Sequence, residues 1–169
     1  LVGLINDVLD MSRIESGRMT LGDSDFLLSD MLEEVSSVIS SQAQTKDLSF
    51  HIERERVKDE ALRGDMVRLS QVLVNILGNA VKFTDEGGCV TLRVEEGEMR
   101  GETARYRFVC RDTGQGMDPT FLPHLFEPFA QERRQAHETY VGTGLGMSIT
   151  KSIVDLMHGT IEVESGLNR

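Results

Sequence analysis

Apolar residues recur at three- and four-residue spacing over some stretches of this chain and alternate with polar ones over others, which predicts a mixed α/β protein. Leu1, Leu4, Ile5, Val8 and Leu9, with Asn6, Asp7, Asp10 and Arg13 between them, predict an amphipathic helix that Gly17 stops. It needs a partner helix to cover its apolar face. Met19 to Leu21, followed by Asp23 to Phe26, reads as a short strand and turn. A second helix is expected from Ser29 or Asp30 to about Thr45, with Glu33 and Glu34 in its first turn, where the helix dipole favours acid. Leu48 to Ile52 alternates like a strand. Cys89 to Val94 and Tyr106 to Cys110 predict a strand pair joined by a polar connection. A last helix from Gly146 to His158 and a strand from Thr160 to Glu164 close the pattern.

The strongest periodicity runs from Asp65 to Phe83. At about 100° per residue, Leu69, Val72, Leu73, Ile76, Leu77 and Ala80 fall on one side, while Gln71, Asn75, Gly78, Asn79 and Lys82 fall on the other. A solvent face is ordinarily rich in Glu and Lys, whereas this one carries uncharged amides one turn apart, a glycine and a terminal cation. Asn carbonyls are hard oxygen donors suited to Mg²⁺, which shares its shell with water and substrate phosphates. Lys82 can meet a phosphate, and Gly78 would let a ligand approach the helix closely.

Composition narrows the partners. The chain has 169 residues, enough for one domain with an appended element, and a net charge of −10. That charge disfavours nucleic-acid and anionic-membrane surfaces, so any phosphate must be bound locally. No apolar run approaches the roughly 20 residues of a membrane span, no signal peptide opens the chain, and the expectation is a cytoplasmic piece of a longer, membrane-anchored or soluble protein. Cys89 and Cys110 lack metal or redox spacing and read as buried thiols in a reducing compartment.

Two glycine loops remain. Arg111-Asp112-Thr113-Gly114-Gln115-Gly116-Met117 follows a strand, and a partly buried Asp112 would accept a hydrogen bond from the exocyclic amine of adenine; a plain Asp-capped turn is the alternative. Gly142-Thr143-Gly144-Leu145-Gly146-Met147 opens the last helix and offers backbone N–H groups and the positive dipole end to an anion. A dinucleotide-binding loop is disfavoured, because no buried strand precedes it and Met147 replaces the third glycine.

In order, Gln71-x3-Asn75-x3-Asn79-x2-Lys82, Asp112-x-Gly114-x-Gly116, Leu125-Phe126-Glu127-Pro128-Phe129 and Gly142-Thr143-Gly144-Leu145-Gly146 resemble the N box, first glycine box, F box and second glycine box of sensor histidine kinases. Leu4 to Gly17 is similar to the second helix of their dimerisation and phosphotransfer hairpin, especially in hybrid kinases. The resemblance implies a two-layer α/β sandwich of the Bergerat type with a mixed sheet, preceded by one hairpin helix. It implies residues 1–17 as the truncated hairpin and 18–169 as the catalytic domain, its last strand missing. It implies ATP and Mg²⁺ as ligands. Asn75 and Asn79 would hold the metal and phosphates, with Gln71 and Lys82 beside them in catalysis. Phe83, Asp112, Gly114, Gly116 and Met117 would line the adenine pocket, and Gly142, Thr143, Gly144, Leu145 and Gly146 would cradle phosphates. Residues 130–141 would form a lid, with Phe126 and Phe129 as its hydrophobic hinge.

The family's other partners would be a response-regulator receiver domain, a second copy of the full-length chain, and an upstream helix carrying the phospho-accepting histidine. None of His51, His124, His137 and His158 lies in the His-Glu-x-Arg-x-Pro context of that acceptor, so this piece is not expected to phosphorylate itself. Gln71 stands where many relatives carry Glu, and an amide is no general base at neutral pH. Glu138 replaces a basic lid residue, which leaves Arg133 and Arg134 as substitutes toward the γ-phosphate. A non-catalytic nucleotide-binding module and an ATPase of the wider superfamily are therefore the competing readings.

Overall fold

The structure, a computed structural model, describes residues 2–58, 60–99, 101–132 and 142–166. It divides into two compact units, residues 22–115 and residues 1–21 with 116–169.

The first unit is a two-layer α/β arrangement. Strand β1 (Ser24–Leu27) pairs antiparallel with β3 (Ala61–Gly64), while β2 (Ser49–Glu55) runs parallel to β4 (Cys89–Glu96), which pairs antiparallel with β5 (Tyr106–Asp112). The mixed sheet order is β2-β4-β5. Alternation along β4 buries Val90, Leu92 and Val94 completely, and these pack with helices α2 (Leu28–Thr45) and α3 (Met66–Phe83). Phe50 and Ile52 of β2 join the same core. Each fully buried side chain of this size contributes roughly 1.5–3 kcal/mol. On the opposite face, Arg93 pairs with Glu53 at 3.1 Å and Glu55 at 3.5 Å, across neighbouring strands.

Helix α2 buries Leu28, Met31, Leu32, Val35, Ile39 and Ala43, which recur at three- and four-residue spacing. Its first turn differs from expectation. The helix starts at Leu28, so Asp30 occupies the first turn and Glu33 and Glu34 fall in the second. The anionic cap comes from β3's approach: the Glu60 carboxylate accepts from Ser29 N–H at 3.1 Å, and the Glu60 carbonyl from Leu28 N–H at 2.8 Å.

The second unit holds α1 (Val2–Glu15), a short 3-10 turn (Leu122–His124) and α4 (Gly146–Leu156), with α1 packed against α4. Gly17 and Arg18 close the end of α1 through bonds to the carbonyls of Ile14 and Arg13 at 3.0 and 2.8 Å. Met19 to Leu21 forms no strand. Met19 is buried and its N–H is taken by the Arg13 carbonyl, while the strand begins at Ser24, where a turn is expected. Thr160 to Glu164 likewise forms no strand among the described residues; alternation makes a strand only where a ladder partner exists, and Val163 stays 37% exposed. The apolar face of α1 is open, with Leu4, Ile5, Val8 and Leu9 45–53% exposed. No helix among the described residues is long and apolar enough to cross a membrane.

Candidate functional site

Helix α3 carries the two faces that its sequence predicts. Val72, Leu73, Leu77, Ala80 and Val81 are buried, and Gln71, Asn75, Gly78, Asn79 and Lys82 are half-buried. Both ends are fixed from a distance. Asp65 Oδ1 caps the start by accepting from Arg68 N–H at 2.9 Å, and its other oxygen accepts from Gly22 N–H at 2.7 Å. At the far end, the ammonium of Lys46, the residue just after α2, donates to the carbonyls of Val81, Lys82 and Thr84 at 3.1, 2.8 and 2.7 Å. That places a cation on the negative pole of the helix.

Two details of the stripe go beyond the sequence reading. Arg68 Nη1 donates to Gln71 Oε1 at 2.7 Å, which puts a second cation on the same side, one turn before Gln71. Gly78 faces α2, where the nearest atom to a Cβ built on it is Gln42 Oε1 at 3.8 Å; the room there serves a helix neighbour, not the close ligand approach first expected. Lys82 Nζ lies 4.9 Å from the Phe83 ring centre, and partial burial holds its ammonium below the usual lysine range. Asn75 and Asn79 sit one turn apart on this half-buried face, and amide oxygens are donors of the kind Mg²⁺ accepts. No cluster of three His, Cys, Asp or Glu among the described residues could hold a metal by itself.

The first glycine loop is pressed against the end of α3. A Cβ on Gly114 would lie 2.6 Å from the Phe83 carbonyl oxygen and 2.8 Å from Asp112 Oδ1, so only glycine fits. Gln115 N–H donates to the Phe83 carbonyl at 3.3 Å, and Gly114 N–H to Asp112 Oδ1 at 2.9 Å. Asp112 is exposed, not partly buried: one oxygen shapes its own turn, and the carboxylate stands at the rim. Phe83 beside it is 42% exposed. Neither cysteine is fully buried; Cys110 is shielded enough that its thiol is pushed up to about 12, mainly by burial and further by the Asp112 charge.

In the second unit, Gly116 precedes Met117, whose N–H donates to Ser165 Oγ at 2.9 Å. Phe126 is half-buried, but Phe129 is 70% exposed with φ +62°, so it is not the packed hinge expected of it. Its backbone does the positioning instead. Phe129 N–H donates to the Gly144 carbonyl at 2.9 Å, and a Cβ on Gly144, φ +71°, would strike the Phe129 backbone at 2.8 Å. Gln131 Nε2 donates to the Gly142 carbonyl at 2.6 Å. Leu145, the residue before α4, is buried and its apolar side chain caps no N–H of the helix, while its own N–H donates to Thr143 Oγ1 at 3.2 Å. Gly146 begins α4. Arg133, Arg134, His137 and Glu138, with most of the expected lid, lie outside the described residues.

Residues 64–169 match the family model described as histidine kinase-, DNA gyrase B- and HSP90-like ATPase. The chain belongs to this family. Within it, the chain is the catalytic domain of a sensor histidine kinase, and its relatives include hybrid sensor kinases. It is 40% identical over 98% of its length to the hybrid signal transduction protein DokA of Dictyostelium discoideum, and 36% identical over 99% to the autoinducer 2 sensor kinase/phosphatase LuxQ of Vibrio vulnificus. It spans only 10% and 20% of those proteins. The crystal structure of full-length ShkA in complex with AMPPNP superposes with a TM-score of 0.78 at 30% identity, covering 98% of this chain and 33% of that one. The histidine-kinase fold, with its mixed sheet and preceding helix, is the one the motifs imply. In this histidine-kinase domain, the residues missed by sequence reading are Arg68 and Lys46. Arg68 was legible from its three-residue spacing to Gln71, while Lys46 is the residue after α2 and had no local signal.

Proposed function

We propose that this histidine-kinase domain binds Mg-ATP and, in the full-length protein, transfers the γ-phosphoryl group to a histidine on the dimerisation hairpin. Residues 1–17 are then the second helix of that hairpin, and 18–169 the catalytic domain. The observation that carries this reading is α3. It has a half-buried stripe of Gln71, Asn75, Asn79 and Lys82 on a helix capped at both ends, with Gly114 packed on the Phe83 carbonyl and its N–H donating to Asp112. Asn75 and Asn79 bind the metal and phosphates, and Lys82 neutralises a phosphate. Asp112 accepts from the adenine amine, Phe83, Gly114, Gly116 and Met117 bound the base, and Gly142 to Gly146 receive phosphates at the start of α4. Phe126 supports the segment leading to residues 130–141, the assigned lid, and Arg133 and Arg134, outside the described residues, are the candidates for γ-phosphate contact.

Bound this way, the nucleotide has its triphosphate neutralised and its γ-phosphorus open to in-line attack by an imidazole nitrogen. The P–N bond forms as the bond to the bridging oxygen breaks, and ADP leaves. The phosphoryl group then passes to a response-regulator aspartate. Gln71 takes no proton; with its amide oxygen held by Arg68, it orients. That same pair favours the second reading, a nucleotide-binding regulatory module without transfer.

Joining the chain to its upstream helix and following radiolabel from γ-labelled ATP separates the two. Labelled protein, acid-labile as a phosphohistidine is, supports the kinase. A folded dimer that binds nucleotide and takes no label supports the module.

A further inference from the structure

The second glycine box is not alone in its unit. Thr143 Oγ1 donates to Asp7 Oδ2 at 3.0 Å, across 136 residues of sequence, joining the loop ahead of α4 to the polar edge of α1. Asp10, one turn along that edge, is only 7% exposed, so this side of α1 is covered while its apolar side is open. A carboxylate therefore lies at a loop whose glycines and helix start attract anions. A hydroxyl has one proton. Given to Asp7, it cannot go to a phosphate oxygen, and the Asp7 charge repels any phosphate that enters beside it.

We infer that Asp7 is an affinity-setting residue of the nucleotide site, an internal competitor for Thr143 that weakens phosphate binding while α1 is docked. The inference rests on the reading of Gly142 to Gly146 as the phosphate loop. Nucleotide and the Asp7 contact exclude each other at Thr143. By reciprocity, whatever shifts α1 away from the loop tightens nucleotide binding, and nucleotide loosens α1 by the same factor. The penalty grows with phosphate charge, so it bears more on a triphosphate than on ADP.

Calorimetric titration of the 169-residue chain with AMP-PNP and ADP in the presence of Mg²⁺ tests this on three variants. Asp7→Asn and Asp7→Ala should bind AMP-PNP roughly five- to tenfold more tightly, with a smaller gain for ADP. Glu15→Gln, an exposed acid two turns further along the helix, should leave both affinities unchanged. Unchanged or weaker binding in both Asp7 variants overturns the inference, as does an equal gain in Glu15→Gln, which would mark a general charge effect. If neither the parent nor any variant binds nucleotide, the nucleotide-site reading itself fails, and that result is distinct from binding that ignores Asp7.

Discussion

The α3 stripe and the glycine loop before α4 are built by different means. The stripe is the back of a core helix: Leu77 is wholly buried, and Asp65 and Lys46 fix the two ends from outside the helix. The loop rests on single bonds, Phe129 to Gly144, Gln131 to Gly142 and Thr143 to Asp7, and of its residues only Leu145 is fully buried, with Gly142, Thr143, Gly144 and Gly146 half-buried. A site element positioned by burial is as rigid as the fold. One positioned by a few hydrogen bonds can rearrange at small cost.

The difference is sharpest in what core damage does. Leu77→Ala should lower unfolding free energy by about 2–5 kcal/mol in urea titration, because the cavity lies under the stripe; a loss below about 1 kcal/mol would mean that α3 is not held by the core. Lys46→Met removes three charge-assisted bonds to the end of α3 and should cost about 1–3 kcal/mol, read the same way, with the largest local loss of hydrogen-exchange protection at Val81 to Thr84. Gly144→Ala acts on the other kind of element. A Cβ at φ +71° against the Phe129 backbone displaces the loop, so nucleotide affinity should fall several-fold while hydrogen-exchange protection of β4 and β5 is unchanged. Equal loss of protection in that sheet would erase the contrast.

How much of this was legible follows the same division. The 3.6-residue pattern from Asp65 to Phe83 and the alternation of Val90, Leu92 and Val94 are imposed by one core, so local spacing reveals them. Gly114 was legible as a turn, although its actual reason, contact with the Phe83 carbonyl, is not local. Glu60 at the start of α2, Lys46 at the end of α3 and Asp7 at Thr143 act across 31 to 136 residues and leave no periodic trace. Phe129 misled because side-chain character suggested packing where the backbone makes the contact. Thr160 to Glu164 misled because alternation reports a preference, and pairing needs a partner.

Asn75→Ala should weaken Mg-AMP-PNP binding while leaving stability within about 0.5 kcal/mol, since its side chain stands on the half-buried face. Asp112→Asn tests the central claim most directly. Its carboxylate is exposed, so the fold should survive the change, while the proposed acceptor for the adenine amine becomes an amide. Calorimetry with Mg-AMP-PNP should show binding in the parent chain and none in this variant, with circular dichroism unchanged. Equal affinity in the two would place the nucleotide somewhere other than the end of α3.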